Sequence, residues 1–228
     1  MSLRILGTSH IARESIEAIS KALEQYQPEL IAIELDAQRA QALMSESKNN
    51  ISLREVRAIG IKGFLFAVIG QSIQQKLGKM VGIAPGSEMK TALQLARERK
   101  IPITLIDQPL RLTLRNFSQS LTWKEKGRFI SDIFLGIFQG KKQLKKIGLH
   151  QFDLKKVPAD ELIEKMMEQL RERYPNVYKT LVTDRNKYMV KQLIKLMRLH
   201  PEKKILCIVG AGHKKGMEEL LLKVDVVK

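Results

Sequence analysis

An α/β fold, with a mostly parallel central sheet flanked by helices, is predicted by three observations. Short apolar runs alternate along the chain with stretches of helical periodicity. The runs are apolar at consecutive positions, as strands buried on both faces must be, rather than alternating like a sheet with one wet face. Each run is also followed at once by a glycine or an acid, the residues that open sheets use at the carboxyl edge of their strands.

Taken in order, Leu3–Leu6 is the first strand, and Ala12–Leu23 follows as a helix with Ile16, Ile19 and Leu23 on one side. Leu30–Ile33 is a second strand ending in Glu34-Leu35-Asp36, and Ala37–Met44 is a helix burying Ala40, Leu43 and Met44. Pro85-Gly86-Ser87 opens a helix that runs to Arg99 and turns Met89, Ala92, Leu93 and Ala96 toward a core. Ile101–Ile106 is the next strand and ends at Asp107. Strand–helix–strand units of this kind require right-handed crossovers and a parallel sheet.

Farther on, Asp160–Arg173 and Val177–His200 read as amphipathic helices, the second stopped by Pro201. Ile205–Val209 is the last strand, and Gly216–Leu222 begins a final helix. Two stretches break the rhythm. Ile51–Gly82 is apolar with five glycines, and Phe117–Phe138 holds four of the seven phenylalanines and the one tryptophan. Within the latter, Phe129/Ile130, Ile133/Phe134 and Ile137/Phe138 repeat every four residues, which describes an amphipathic helix. The expected organisation is one domain over residues 1–228 with a helical insertion at about 111–173. That insertion serves as a cap or as the arm of a homodimer, with docking on a membrane surface as the alternative.

Composition limits the partners. A formal charge of +16 draws attention to anionic ligands, yet no zinc-finger spacing, RNA-binding signature or recognition helix accompanies the lysines at 141, 142, 145, 146, 155 and 156. A solvated basic face is the simpler reading, and nucleic acid is not an expected partner. One cysteine, Cys207, precludes an internal disulfide and fits a reducing compartment. No N-terminal signal peptide is visible, and the least polar stretch, Ile59–Ile73, is too short to span a bilayer. A cytoplasmic or membrane-associated location is expected, the latter through a C-terminal region beyond Lys228.

The residues that carry chemistry stand where the strands end. Gly7-Thr8-Ser9-His10 and Gly210-Ala211-Gly212-His213 share the form Gly-x-x-His, and each follows an apolar strand. Parallel strands bring both histidines to one edge, together with Glu34, Asp36 and Asp107. Two imidazoles and several carboxylates make a first shell for a divalent metal (manganese, cobalt, zinc or iron), with His10, His213 and Glu34 as ligands. Such an ion acidifies bound water and polarises a carbonyl, which is hydrolase chemistry. Glu88, in the first turn of its helix, either supports the helix dipole or shares with Glu34 the candidacy for general base or further ligand. Arg185 falls in the apolar stripe of its helix, so it either pairs with an internal carboxylate, in the neighbourhood of Asp184 or at Glu34, or clamps an anion. Arg115 is a second candidate to steady a substrate carboxylate or oxyanion.

This pattern resembles the TraB/PrgY family, grouped with Tiki-type metalloproteases and ChaN-like proteins. The resemblance rests on Leu6–His10, Ile31–Asp36 with Arg39, Pro85–Met89, Leu105–Asp107 with Thr113–Arg115, Asp184-Arg185-Asn186 with Met189, and Val209–His213. It implies a metal-dependent hydrolase, a peptidase acting on peptide or protein substrates, with the two histidines and a glutamate at one site. The alternative it implies is a non-catalytic protein that sequesters a peptide in the same crevice. One departure is Asp184-Arg185-Asn186, where the family often has Glu-Arg-Asp.

Overall fold

The computed structural model describes residues 2–8, 13–45, 86–125, 127–128, 131 and 159–225. His10, the Ile51–Gly82 stretch, the Phe129–Phe138 repeat and the lysines between 141 and 156 lie outside the described residues.

Among the described residues four strands form a single parallel sheet in the order β1-β4-β2-β3. They are β1 (Ser2–Thr8), β2 (Leu30–Ile33), β3 (Ile103–Leu105) and β4 (Lys204–Gly210). All four expected strands are present. The third is shorter than its apolar run, because Pro102 has no N–H for the ladder, although its carbonyl still accepts the Ile31 N–H at 3.0 Å. The two Gly-x-x-His segments begin on adjacent strands one residue out of step, with Gly7 opposite Val209 and Thr8 opposite Gly210.

The helices are α1 (Arg13–Tyr26), α2 (Ala37–Ser45), α3 (Ser87–Glu98), α4 (Leu110–Ser120), α5 (Ala159–Arg173), α6 (Pro175–Tyr178), α7 (Asp184–Leu199) and α8 (Ala211–Asp225). Between α6 and α7 the chain makes a π turn, Lys179–Thr183. The strand pleat sorts the core into two halves. Ile31, Ile33, Leu206 and Ile208 face α1 and α3, where Ile19, Leu23, Met89, Ala92, Leu93 and Ala96 are buried. Leu30, Ala32, Ile205, Cys207 and Val209 face α7 and α8, against Met189, Val190, Leu193, Leu196 and Met217. Both faces of the sheet are thus covered, which explains why the strands are apolar at every position.

The last helix starts five residues earlier than its apolar spacing suggests, at Ala211 rather than Gly216. Gly212 and Gly216 look like breakers, but they are close-packing positions inside the helix. A Cβ on Gly212 would lie 3.2 Å from the sulfur of Met167, and one on Gly216 would collide with the amide of Asn186. His213 is therefore in the first turn of α8.

Helix α4 packs over the π turn and α6, with Phe117 buried, while Trp123 is exposed. Beyond α4, Thr122 and Glu125 form a capping box: Thr122 N–H donates to Glu125 at 3.2 Å, and Glu125 N–H donates to the Thr122 hydroxyl at 3.2 Å. The same carboxylate receives both the backbone and the side-chain N–H of Asn176 at 2.8 Å, tying this turn to α6. No helix among the described residues is long and apolar enough to cross a membrane.

Leu206 sits at the centre of the sheet, fully buried, whereas Leu222 is exposed on α8. Chemical denaturation should find Leu206→Ala destabilised by about 2–5 kcal/mol and Leu222→Ala nearly unchanged. Equal effects would contradict this burial.

Candidate functional site

The carboxyl edge of the sheet delivers side chains from four places. Glu34 continues β2, its N–H still bonded to the Ile208 carbonyl at 3.0 Å. Asp107 follows β3, Gly210 ends β4 and leads to His213, and Arg185 enters from the first turn of α7. A π turn adds one residue to a helical turn and shifts the face that everything after it presents. Here it lets Arg185 and Asn186 both reach inward from consecutive positions.

Arg185 is the centre of the cluster. A guanidinium carries five N–H hydrogens in a fixed fork, and each has an acceptor. Nε donates to Asp107 Oδ1 at 3.0 Å, and Nη2 donates to Asp107 Oδ2 at 2.7 Å and to Glu34 Oε1. Nη1 donates to the Leu181 carbonyl at 3.3 Å and lies 3.0 Å from His213 Nε2. The pairing with Asp107 is bidentate, the strongest geometry available to these groups. Of the two expectations for Arg185, pairing with a buried carboxylate is the one observed, through both Glu34 and Asp107.

The second oxygen of each carboxylate is engaged as well. Glu34 Oε2 accepts the Gly210 N–H at 2.6 Å, crossing to the neighbouring strand. Asp107 also accepts its neighbour's N–H from Gln108 at 2.8 Å and a bond from Arg39 Nη2. Arg39 in turn holds Asp36 at 2.9 Å, and Asp36 caps α2 by accepting the N–H groups of Gln38 and Arg39 at 2.9 and 3.0 Å.

His213 is buried in this arrangement, and its Nδ1 lies 2.6 Å from Asn186 Oδ1. An amide oxygen only accepts, so Nδ1 carries the hydrogen. Nε2 then presents its lone pair to Arg185, with Glu34 Oε1 3.3 Å away. Asn186 is kept in place by Gly216, whose missing Cβ leaves room for the amide.

Burial alone would raise the pKa of Glu34. The charge His213 carries when protonated, the Arg185 guanidinium and the Gly210 N–H outweigh burial and hold it at about 2. Burial works against the charge on Arg185, but Glu34 and Asp107 more than reverse this and fix it as a cation. Burial and the nearby Glu34 charge both push the Cys207 thiol upward, so it is inert as a nucleophile.

As arranged, the described residues do not fit a divalent metal. Glu34 Oε1 and His213 Nε2 are separated as two ligands of one ion can be, but both face the same edge of the Arg185 guanidinium, which fills the cation position. The oxygens of Asp107 are saturated by two arginines and a backbone N–H. Among the described residues no group of three or more His, Cys, Asp or Glu side chains is disposed to hold an ion. His10 lies outside the described residues.

Of the other expected site residues, Glu88 is buried in the first turn of α3, and Arg115 is on the exposed face of α4, outside the Arg185 cluster. Two participants carried no assigned role in the sequence reading. Asn186 had a legible signal, since it lies three and four residues before Met189 and Val190 in the buried stripe of α7. Arg39 had a weaker one, its spacing of three from Asp36.

Two outcomes follow from this geometry. Because the folded pKa of Glu34 is depressed, its contribution to stability is fully present above about pH 4.5 and is lost as the pH falls toward 2. Glu34→Gln should cost about 3 kcal/mol at pH 7 and flatten the acid limb of a denaturation series over that window. Gly216→Ala should displace Asn186 from His213 and lower stability by about 1–3 kcal/mol; unaltered stability would mean the amide is not pinned.

The sequence model of the TraB/PrgY/gumN family matches residues 2–224. Protein MJ1365 of Methanocaldococcus jannaschii is 33% identical over 223 residues, covering 97% of this chain and 53% of its own length. The human TraB domain-containing protein is 24% identical over 247 residues, covering 94% of this chain and 61% of its own, and the mouse protein is 23% identical over the same span. The chain thus spans about half to three-fifths of the length of these relatives. It belongs to the TraB/PrgY/gumN family.

Proposed function

We propose that the chain is a hydrolase of peptide or related acyl bonds, with His213 as the acid–base group and Arg185 as the electrophile. The observation that carries this reading is the contact between His213 Nε2 and Arg185 Nη1, 3.0 Å apart beside the ionised Glu34. A buried ion network of this kind seldom repays its desolvation in stability, and shifted titrations of this size concentrate at functional sites.

The chemistry follows from what each atom can give. A substrate carbonyl takes the Nη1 hydrogen that His213 now accepts, which frees the Nε2 lone pair. That lone pair removes a proton from an attacking water, and the guanidinium stabilises the oxyanion that forms. The resulting imidazolium is held by Asn186 at Nδ1 and by Glu34 Oε1 near Nε2, then returns its proton to the leaving group. Water is the nucleophile in this scheme: of the described residues, Cys207 is inert and the Thr8 hydroxyl donates to the Val209 carbonyl at 3.2 Å.

Cleavage of a quenched-fluorophore peptide library tests the proposal, with chelator and with added manganese, cobalt, zinc or iron. Wild-type protein should cleave, and His213→Ala should lose on the order of 10²–10⁴ in kcat/KM. Tight binding of peptides without cleavage under every condition would replace the hydrolase with a sequestering protein.

A further inference from the structure

We propose that Arg185 is the resident cation of this site and bars a divalent metal ion from Glu34, Asp107 and His213 unless it leaves the cluster. The inference rests on the reading that this cluster is the functional site, but its test reads metal uptake rather than turnover.

A first-row ion bound by a carboxylate and an imidazole sits about 2.0–2.2 Å from each. Glu34 Oε1 and His213 Nε2 are 3.3 Å apart, so one ion could bridge them. Its position would fall against Nη1 and Nη2 of Arg185, which already bond to those same two atoms. An ion and a guanidinium cannot share that space, and their like charges repel.

The guanidinium is also held from behind. Asp107 grips Nε and Nη2 in a fork, and the Leu181 carbonyl takes the remaining Nη1 hydrogen. All five hydrogens are thus satisfied without solvent or substrate, and the side chain is only 14% exposed. A loosely placed arginine would yield to an ion, whereas this one must break five bonds to do so. Removing it reverses the situation. Glu34 and Asp107 would then be buried beside each other without their shared counter-charge, and the Glu34–His213 pair would be open to a cation.

The test is equilibrium uptake of manganese, cobalt or zinc chloride by the whole chain, read as bound metal after gel filtration and as the visible spectrum of cobalt. Wild-type protein should retain far less than one equivalent, unchanged by His213→Ala. Arg185→Ala should bind one equivalent on the order of 10⁵-fold more tightly, the effect of removing one unit charge about 5 Å from a divalent ion at an effective dielectric near 20. Should that variant fail to fold, Arg185→Met fills the same volume without charge. One equivalent retained by wild type and lost in His213→Ala would overturn the proposal. No uptake by the folded arginine variants would overturn it too, because taking the guanidinium away would then have opened no site. Absence of hydrolysis, by contrast, bears only on the proposed function.

Discussion

The part-buried guanidinium of Arg185 ties together elements that are far apart in the sequence. Its partners come from the end of β2, the end of β3, the π turn and the start of α8, across more than 170 residues of chain. Two carboxylates so close together would repel strongly in a dry interior, and either alone would resist ionisation. With the fork between them Glu34 stays ionised, and the strand ends are drawn to one point. Removing one partner from such a cluster leaves a buried charge uncompensated, which is more damaging than never having built it.

The apolar core explains how this point is held still. Ile205, Cys207 and Val209 on one face of β4 and Leu206 and Ile208 on the other are each covered by a layer of helices. The sheet edge is therefore stiff, and Gly210 N–H is fixed where Glu34 Oε2 meets it. Helix α7 lies on one of those layers through Met189, Val190, Leu193 and Leu196. Its register decides whether Arg185 and Asn186 reach the edge, and the π turn before it sets that register. Helix α8 supplies His213 from its first turn, with the small residues Gly212 and Gly216 bringing it close to α5 and α7.

Much of this was legible in the sequence, for a physical reason. Strands buried on both faces must be apolar throughout, so Leu30–Ile33 and Ile205–Val209 announce themselves. An acid or histidine directly after such a run must lie at the sheet edge, which located Glu34, Asp107 and His213. Partner choice was not legible. Whether Arg185 would meet Glu34, Asp107 or a ligand depends on a single extra residue in the π turn, and hydrophobic spacing does not resolve a shift of that size. Gly212 and Gly216 misled for a related reason. Glycine disrupts a helix locally, yet it is also the residue that close helix packing demands, and only the neighbours Met167 and Asn186 distinguish the two. Asn186 stood as a departure from the family's usual acid, while the structure gives it a definite partner in His213 Nδ1.

Whether all five hydrogens of Arg185 are bonded is something its guanidinium reports directly. In a ¹⁵N–¹H spectrum of the arginine side chains, rotation about the guanidinium bonds normally averages the Nη signals, and exposed N–H groups exchange quickly with water. Arg185, assigned by its loss in Arg185→Met, should give separate Nη1 and Nη2 resonances and a slowly exchanging Nε hydrogen. A single averaged Nη signal exchanging at the rate of the surface arginines would contradict the account.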